Sequence, residues 1–280
     1  MASALTPQSA ERYAPRVAAT PVLTIAAHGV TDVGRRRDHN EDAFLVDPAL
    51  GLYVVADGMG GHAGGGTASR LAVETIQESV RAARDGSPEV FEGANGVEDS
   101  RLPDLLREAV EAACARIFQT AQGDPGLAGM GTTVTAALID GRVAFVAHVG
   151  DSRCYLLREG RIYQVSEDHS LVNEQLKAGT ISADEAKHSR FKNIITRSVG
   201  FEAQVQVDLM GIELEGGDAL VICCDGLSNL VDDDEILQIV DECPIDEAPA
   251  RLVALANDRG GDDNITVIVI RAGLAPVMVG

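Results

Sequence analysis

Short apolar runs separated by turn-forming residues dominate this chain, and two long stretches switch to a helical period. A β-like run covers residues 22–30, and the runs 43–46 and 52–56 flank Pro48-Ala49-Leu50-Gly51, which predicts a hairpin pair. Over residues 67–83, Ala68, Leu71, Ala72, Thr75, Ile76 and Val80 recur at helical spacing. Residues 104–121 repeat that pattern with Leu105, Leu106, Ala109, Val110, Ala113, Ile117 and Phe118 on one face. The polar stretch 85–103 between them, with Gly86, Pro88, Gly93 and Gly96, reads as a surface loop.

Strands dominate again from residue 132. The runs 132–139, 142–149, 154–158 and 161–165 are separated by Asp140-Gly141, Gly150-Asp151 and Glu159-Gly160, which predicts a meander of hairpins. Residues 170–187 turn helical in two pieces broken at Gly179, with Ser182 and Glu185 spaced as a capping box. Strands at 205–212 and 219–224, helices at 233–241 and 246–258, and a final strand at 265–270 complete the pattern. No internal repeat or linker is visible. This order is not an alternating βαβ series, so it predicts an α+β domain of antiparallel sheets with helices packed outside. Two stacked sheets would place the strand ends at a common rim.

Composition narrows the class. The chain has 280 residues, 45% hydrophobic and 24% charged, which suits a soluble globular protein with a sizeable core. Its net charge of −20, the absence of Trp and 4% aromatics argue against nucleic acid or an anionic membrane as the main partner. There is no apolar run long enough to span a membrane and no secretory leader pattern. The 5 cysteines include no CxxC spacing, so neither a disulfide framework nor a zinc site is expected, and a reducing cytoplasm is the simpler reading. Cys223 and Cys224 sit in an apolar run and read as small core residues.

Candidate chemistry lies where the apolar runs end. Asn40-Glu41-Asp42, Asp57-Gly58, Asp225-Gly226 and Asp262-Asp263-Asn264 each abut such a run. One Asp-Gly alone is a turn; several acidic groups at sheet ends suggest carboxylates gathered in space. Carboxylates share a pocket only if cations neutralise them, and an all-oxygen set favours magnesium or manganese. The glycine cluster Gly58-Met59-Gly60-Gly61-His62-Ala63-Gly64-Gly65-Gly66 contains a G-x-G-x-x-A string, but no repeated βαβ setting supports a dinucleotide site, and no Gly-Lys-Ser/Thr follows for a P-loop. Glycines there would instead let the backbone approach a metal and offer a carbonyl oxygen. Arg35, Arg36 and Arg37 read either as a solvated patch or as a fork for phosphate oxygens.

Taken in order, seven segments form a specific pattern. They are Thr31-Asp32-x-Gly34-x-x-Arg37-x-x-Asn40-Glu41-Asp42, Asp57-Gly58-Met59-Gly60-Gly61, Gly131-Thr132-Thr133, His148-Val149-Gly150-Asp151-Ser152-Arg153, Glu167-Asp168-His169-Ser170, Asp225-Gly226-Leu227 and Gly261-Asp262-Asp263-Asn264-Ile265-Thr266. The series resembles the bacterial branch of the metal-dependent (type 2C, PPM) protein serine/threonine phosphatases over residues 24–271. The resemblance implies an antiparallel β-sandwich flanked on both sides by pairs of α-helices, an αββα four-layer fold. It implies a flexible N-terminal tail at 1–21, one catalytic domain at 22–272 with a flap about 171–198, and a C-terminal tail at 273–280.

Carried over by resemblance, Asp57 bridges two ions, Mn2+ or Mg2+, and the Gly58 carbonyl binds one of them. Asp225 and Asp263 complete the other shell, and Glu41 and Asp42 act through water. Asp151, with Asp225, serves a third, weaker site, while Asp262 reads as a turn residue. Arg37 holds the substrate phosphate, and hydroxide shared by the two ions attacks phosphorus directly. Met59 stands where some relatives place a histidine, so the proton donor is either His62 or a metal-bound water. Cys224, where relatives often carry Ser, reads as a tolerated small residue. The implied substrates are phosphoserine and phosphothreonine proteins, with a bacterial Ser/Thr kinase and its targets as partners. The alternatives are a phosphatase of a regulatory switch protein and a catalytically silent phosphoprotein-binding domain.

Overall fold

The computed structural model describes residues 23–60, 64–91, 100–187 and 189–274. The expected N-terminal tail, residues 275–280 and residues 92–99 therefore lie outside the described residues, as does His62, while residues 273–274 belong to the last strand. The stretch expected as a loop at 85–103 holds a helix end, a 3-10 turn at Pro88–Phe91 and the start of a helix at Leu102. One five-stranded sheet runs in the order β1 (Leu23–Asp32), β11 (Ile265–Leu274), β10 (Ala219–Cys223), β7 (Arg153–Arg158), β8 (Arg161–Gln164). The six-stranded sheet runs β2 (Asp42–Asp47), β3 (Leu52–Met59), β5 (Val134–Asp140), β6 (Val143–Val149), β9 (Asp208–Glu213), with β4 (Gly131–Thr132) paired to β3. Every one of these pairings is antiparallel. The helices are α1 (Gly64–Gly86), α2 (Leu102–Gly123), α3 (Leu171–Lys177), α4 (Ala183–Lys187), α5 (Asp225–Ser228), α6 (Asp233–Glu242) and α7 (Ala248–Asp258).

Three apolar layers hold these elements together. Between the sheets, Tyr53, Val55, Ala137 and Val146 meet Cys154, Leu220, Ile222, Ile268 and Ile270. Outside the six-stranded sheet, α1 and α2 press Ala72, Ile76, Leu106, Val110 and Ile117 onto Val54, Ala136 and Phe145. Outside the five-stranded sheet, α6 and α7 press Ile236, Val240 and Leu252 onto Val221, Val267 and Val269. The outcome is the expected four-layer α+β sandwich. Because both faces of the central strands are covered, β6 and β10 are buried at every position, and so they read as continuous apolar runs rather than alternating ones.

Several expected boundaries move, each for a packing reason. The meander breaks at Gly150-Asp151: β6 pairs with β5 and β9, whereas β7 pairs with β10 and β8, so this segment crosses between sheets. Gly150 makes the crossing with φ +111, where a Cβ would stand 2.6 Å from the Thr133 side chain. Helix α1 starts at Gly64, inside the glycine cluster, because Gly64 and Gly65 are buried against the fold and tertiary packing overrides their poor helix propensity. The run 132–139 divides into β4 and β5 at Thr133. The strand expected at 205–212 begins only at Asp208, and β11 continues to Leu274. Asp225-Gly226 opens the short helix α5 rather than a simple turn. The capping box at Ser182 and Glu185 forms as read, with the Glu185 carboxylate accepting from the Ser182 N–H at 2.8 Å.

Candidate metal centre

Antiparallel pairing brings strand ends from distant parts of the chain to one rim. Asp42 and Asp57 stand opposite each other in the β2–β3 register. Asp225 follows the end of β10, Asp263 precedes the start of β11, and Asp151 follows the end of β6. A pocket of about 440 Å³ opens there, with Arg37, Glu41, Asp57, Gly58, Asp151, Asp225 and Asp263 in its lining. Asp42 does not line it. Its Oδ2 accepts from Thr266 Oγ1 at 2.6 Å at the back of the site. Asp262 stays at the surface, 3.7 Å from Arg36.

These carboxylates cannot all be ionised without compensation. Burial, then Asp42 and Asp225, push the Asp57 carboxyl well above the usual carboxylate range. Burial and the nearby Asp225 charge raise Asp42 to about 7 and Asp151 to about 8. Burial and Asp263 raise Asp225 as well. Asp42 Oδ1 and Asp151 Oδ1 are buried without a hydrogen-bond partner, an arrangement that a cation would complete. Carboxylate oxygens of Asp42 and Asp57 and the Cys224 sulfur lie within 4.8 Å of one another. The pocket lining is otherwise rich in carboxylate and carbonyl oxygen, which suits Mg2+ or Mn2+ rather than a thiophilic ion.

The surrounding structure fixes these oxygens. Asp57 N–H donates to Thr133 Oγ1 at 2.9 Å, and the Asp57 carbonyl accepts from Thr133 N–H at 2.8 Å. Gly58 and Gly65 permit the N-terminus of α1 to sit against the end of β3. A Cβ on Gly58 would lie 2.2 Å from the Gly65 carbonyl oxygen, and one on Gly65 would lie 2.9 Å from the Glu41 carboxyl carbon. Asn264 ties both lips together. Its amide donates to the carbonyls of Val33 and His39 at 2.9 and 3.0 Å and accepts from Glu41 N–H at 2.8 Å. Arg37 Nη2 donates to Asp263 Oδ2 at 2.7 Å, and with its side chain 53% exposed the rest of the guanidinium faces solvent at the mouth.

The flap contributes Asn193 and Ile195 to the lining. His169 secures its base. Gly150 N–H donates to His169 Nδ1 at 3.0 Å, which leaves Nε2–H to donate to Asp208 Oδ2 at 3.1 Å. Thr196 N–H donates to the His169 carbonyl at 2.8 Å. The crossing segment that carries Asp151 and the returning segment of the flap thus share one residue.

Sequence reasoning placed Arg37, Glu41, Asp57, Gly58, Asp151, Asp225 and Asp263 at what proves to be one pocket. It missed the supporting roles of Asn264 and Thr266 and the lining residues Asn193 and Ile195. Thr266 had a signal, as a polar residue inside an otherwise apolar run; Asn193 and Ile195 had none. Cys224 is more than a spacer: its Sγ accepts from Thr266 N–H at 3.1 Å and donates to the Asn264 carbonyl at 3.3 Å.

Known proteins are similar to this chain in sequence and in fold. The family model described as "Protein phosphatase 2C" matches residues 33–257. The chain is 36% identical over 248 residues to the serine/threonine phosphatase stp of Listeria welshimeri, covering 87% of this chain and 94% of that one. The Mycobacterium tuberculosis serine/threonine phosphatase PstP/Ppp superposes with a TM-score of 0.76 at 34% identity, covering 89% of this chain and 98% of that one. A catalytic domain of PstP solved in complex with 2 manganese ions gives a TM-score of 0.76 at 34% identity, covering 91% and 100%.

Proposed function

The chain belongs to the protein phosphatase 2C family and is a metal-dependent protein serine/threonine phosphatase, and we propose that its chemistry falls on the residues of the rim pocket. The observation that carries this assignment is the convergence of Glu41, Asp57, Asp151, Asp225 and Asp263 with Arg37 around one cavity. Asp57, the Gly58 carbonyl, Asp225 and Asp263 would hold two divalent cations, with Glu41 and Asp42 contributing through water. Asp151 with Asp225 would hold a third ion. The orphaned Asp151 Oδ1 supports that role. The manganese pair of the related PstP domain supports the pair of cations. When bound, such ions supply Lewis-acid activation of water and neutralise phosphoryl charge.

The protein's own groups do the positioning. Asp263 anchors one nitrogen of Arg37 and leaves the remaining N–H groups to fork onto the phosphate oxygens. The Asp263 hydrogen bond outweighs burial and holds the Arg37 guanidinium above its ordinary range, in its charged form. Met59 pairs with Gly131 in the β3–β4 ladder and has no proton to give. The leaving oxygen therefore takes its proton from His62 or from water.

Phosphoproteins are the substrates, and we infer that a serine/threonine kinase and its targets are among them. Among the described residues no helix is long and apolar enough to cross a membrane. The cysteines are free, four of them buried, which suits a reducing cytoplasm. Purified protein with Mn2+ should hydrolyse both p-nitrophenyl phosphate and a phosphothreonine peptide. Bound metal without turnover would favour the silent binding domain instead. Phosphoproteomics of a deletion strain would name the substrates.

A further inference from the structure

The flap carries cations that the fold does not use. From residue 186 to residue 201 there is no Asp or Glu, while Lys187, Arg190, Lys192 and Arg197 fall within that stretch, in a chain holding 43 acidic against 23 basic residues. Arg197 is committed, donating to Asp208 Oδ1 at 2.6 Å. Lys177, earlier in the flap, is committed to Glu167. Arg190 and Lys192 differ: among the described residues neither forms an ion pair, and both are open to solvent. The Arg190 guanidinium lies 5.0 Å over the exposed Phe191 ring.

Their position gives these free cations a use. Asn193 and Ile195, which follow Lys192, line the catalytic pocket together with Arg37, Asp57 and Asp225. Lys192 directly precedes Asn193 of that lining, so its backbone stands at the pocket wall, and its side chain is exposed. Phe191 and Ile194 add exposed apolar surface beside it, 42% and 44% accessible. A net charge of −20 disfavours acidic peptides on the molecule as a whole. An unpaired basic lip on such a molecule suits an anion that arrives together with the phosphate.

We propose that Arg190 and Lys192 form a specificity lip that selects phosphopeptides with Asp or Glu side chains flanking the phosphorylated residue, while Arg37 takes the phosphate across the pocket. This rests on the residue roles proposed above and adds the class of substrate they serve. Both cations are exposed, so each contact is weak alone and screened by salt. The selectivity should therefore be modest and should fade as ionic strength rises.

The test compares kcat/KM, at low and at raised salt, for three phosphothreonine peptides differing only in Glu, Ala or Lys at the flanking positions. The Glu-flanked peptide should be favoured over the Ala-flanked one by about fivefold at low salt, and the Lys-flanked one should be worst. Arg190→Ala should shrink the preference, and Arg190→Glu with Lys192→Glu should reverse it. The ratio between peptides is read within each enzyme, so it does not depend on overall activity. p-Nitrophenyl phosphate, too small to reach the lip, reports separately on the catalytic centre. Its hydrolysis by wild type with no preference among the peptides would overturn the lip while leaving the phosphatase assignment intact. So would a preference that survives the double charge reversal. Failure on every substrate, p-nitrophenyl phosphate included, would count against the residue roles themselves.

Discussion

At the scale of single residues, the pocket separates groups that hold charge from groups that hold geometry. Asp57 is the most crowded carboxylate, facing Asp42, Asp225, Asp151 and Asp263 together. Its proposed role as the bridging ligand predicts that Asp57→Asn lowers turnover on p-nitrophenyl phosphate by more than about a hundred-fold, since even outer partners of metal ligands cost about 10–100-fold. Wild-type turnover in that variant would remove Asp57 from the centre. Arg37 holds substrate rather than metal, so Arg37→Ala should raise KM more than it lowers kcat, with kcat/KM falling about ten- to a hundred-fold, the range of hydrogen bonds to charged groups. A pure kcat defect would contradict the assignment. His148 has a stability role instead. It is fully buried, its Nε2 donating to the Glu167 carbonyl at 3.0 Å. Burial, then the neighbouring His169, lower its pKa from 6.5 to about 4. The unfolded chain therefore takes up this proton first. The neutral His148 contribution is whole above pH 6.5 and is lost as pH falls towards 4, at up to about 1.4 kcal/mol per pH unit. The raised rim carboxylates tilt stability the opposite way in both proteins, so the check is a difference. In urea unfolding from pH 7.5 to 5, wild type should lose stability relative to His148→Gln.

Elements show where the sequence was readable and where it was not. The long helices and the apolar runs were visible because each buries a recurring face. The acidic ends of those runs were visible because charge is conspicuous beside a core. Gly150-Asp151 misled because a glycine with positive φ serves a hairpin turn or a crossing between sheets equally well, and only the partners of β6 and β7 decide between them. The glycine start of α1 and the short α5 were hidden for a related reason: both depend on what they pack against, not on their own propensity. The flap base is another arrangement that only the folded structure reveals. There Arg153 grips Asp168 with Nε at 3.0 and 3.1 Å and Nη2 at 2.7 Å, joining β7 to the segment that ends in His169 and Ser170. Removing one partner strands a part-buried charge. Arg153→Met should destabilise the protein by about 2–3 kcal/mol, below the range for a fully buried pair because both side chains keep some solvent contact. The pair Arg153→Met with Asp168→Leu should recover much of that loss. A double variant no more stable than the single one would show that the link works through shape rather than charge.

For the molecule as a whole, function and stability pull in opposite directions. Two sheets with helices outside give a rigid stack, and its rim gathers carboxylates that repel one another. The fold tolerates this because the repulsion is confined to one end, away from the three apolar layers. Cations that bind the folded pocket and not the unfolded chain must therefore stabilise the whole domain, by about 2.7 kcal/mol at a free concentration a hundred times Kd. For a domain of this size, that is a rise in Tm of roughly 5–10 °C. Calorimetry with Mn2+ and with EDTA should show the difference. The same reasoning gives a sharper expectation for variants. Asp57→Asn removes a carboxyl that, without metal, folding must either protonate or bury against like charges, so in EDTA it should be more stable than wild type, while Mn2+ should raise its Tm less. A variant that loses stability in EDTA would mean that the Asp57 carboxylate supports the fold by itself. A rise in both the metal-free Tm and the metal requirement would instead identify the rim as a site where the fold gives up stability so that cations, and then a phosphate, have somewhere to bind.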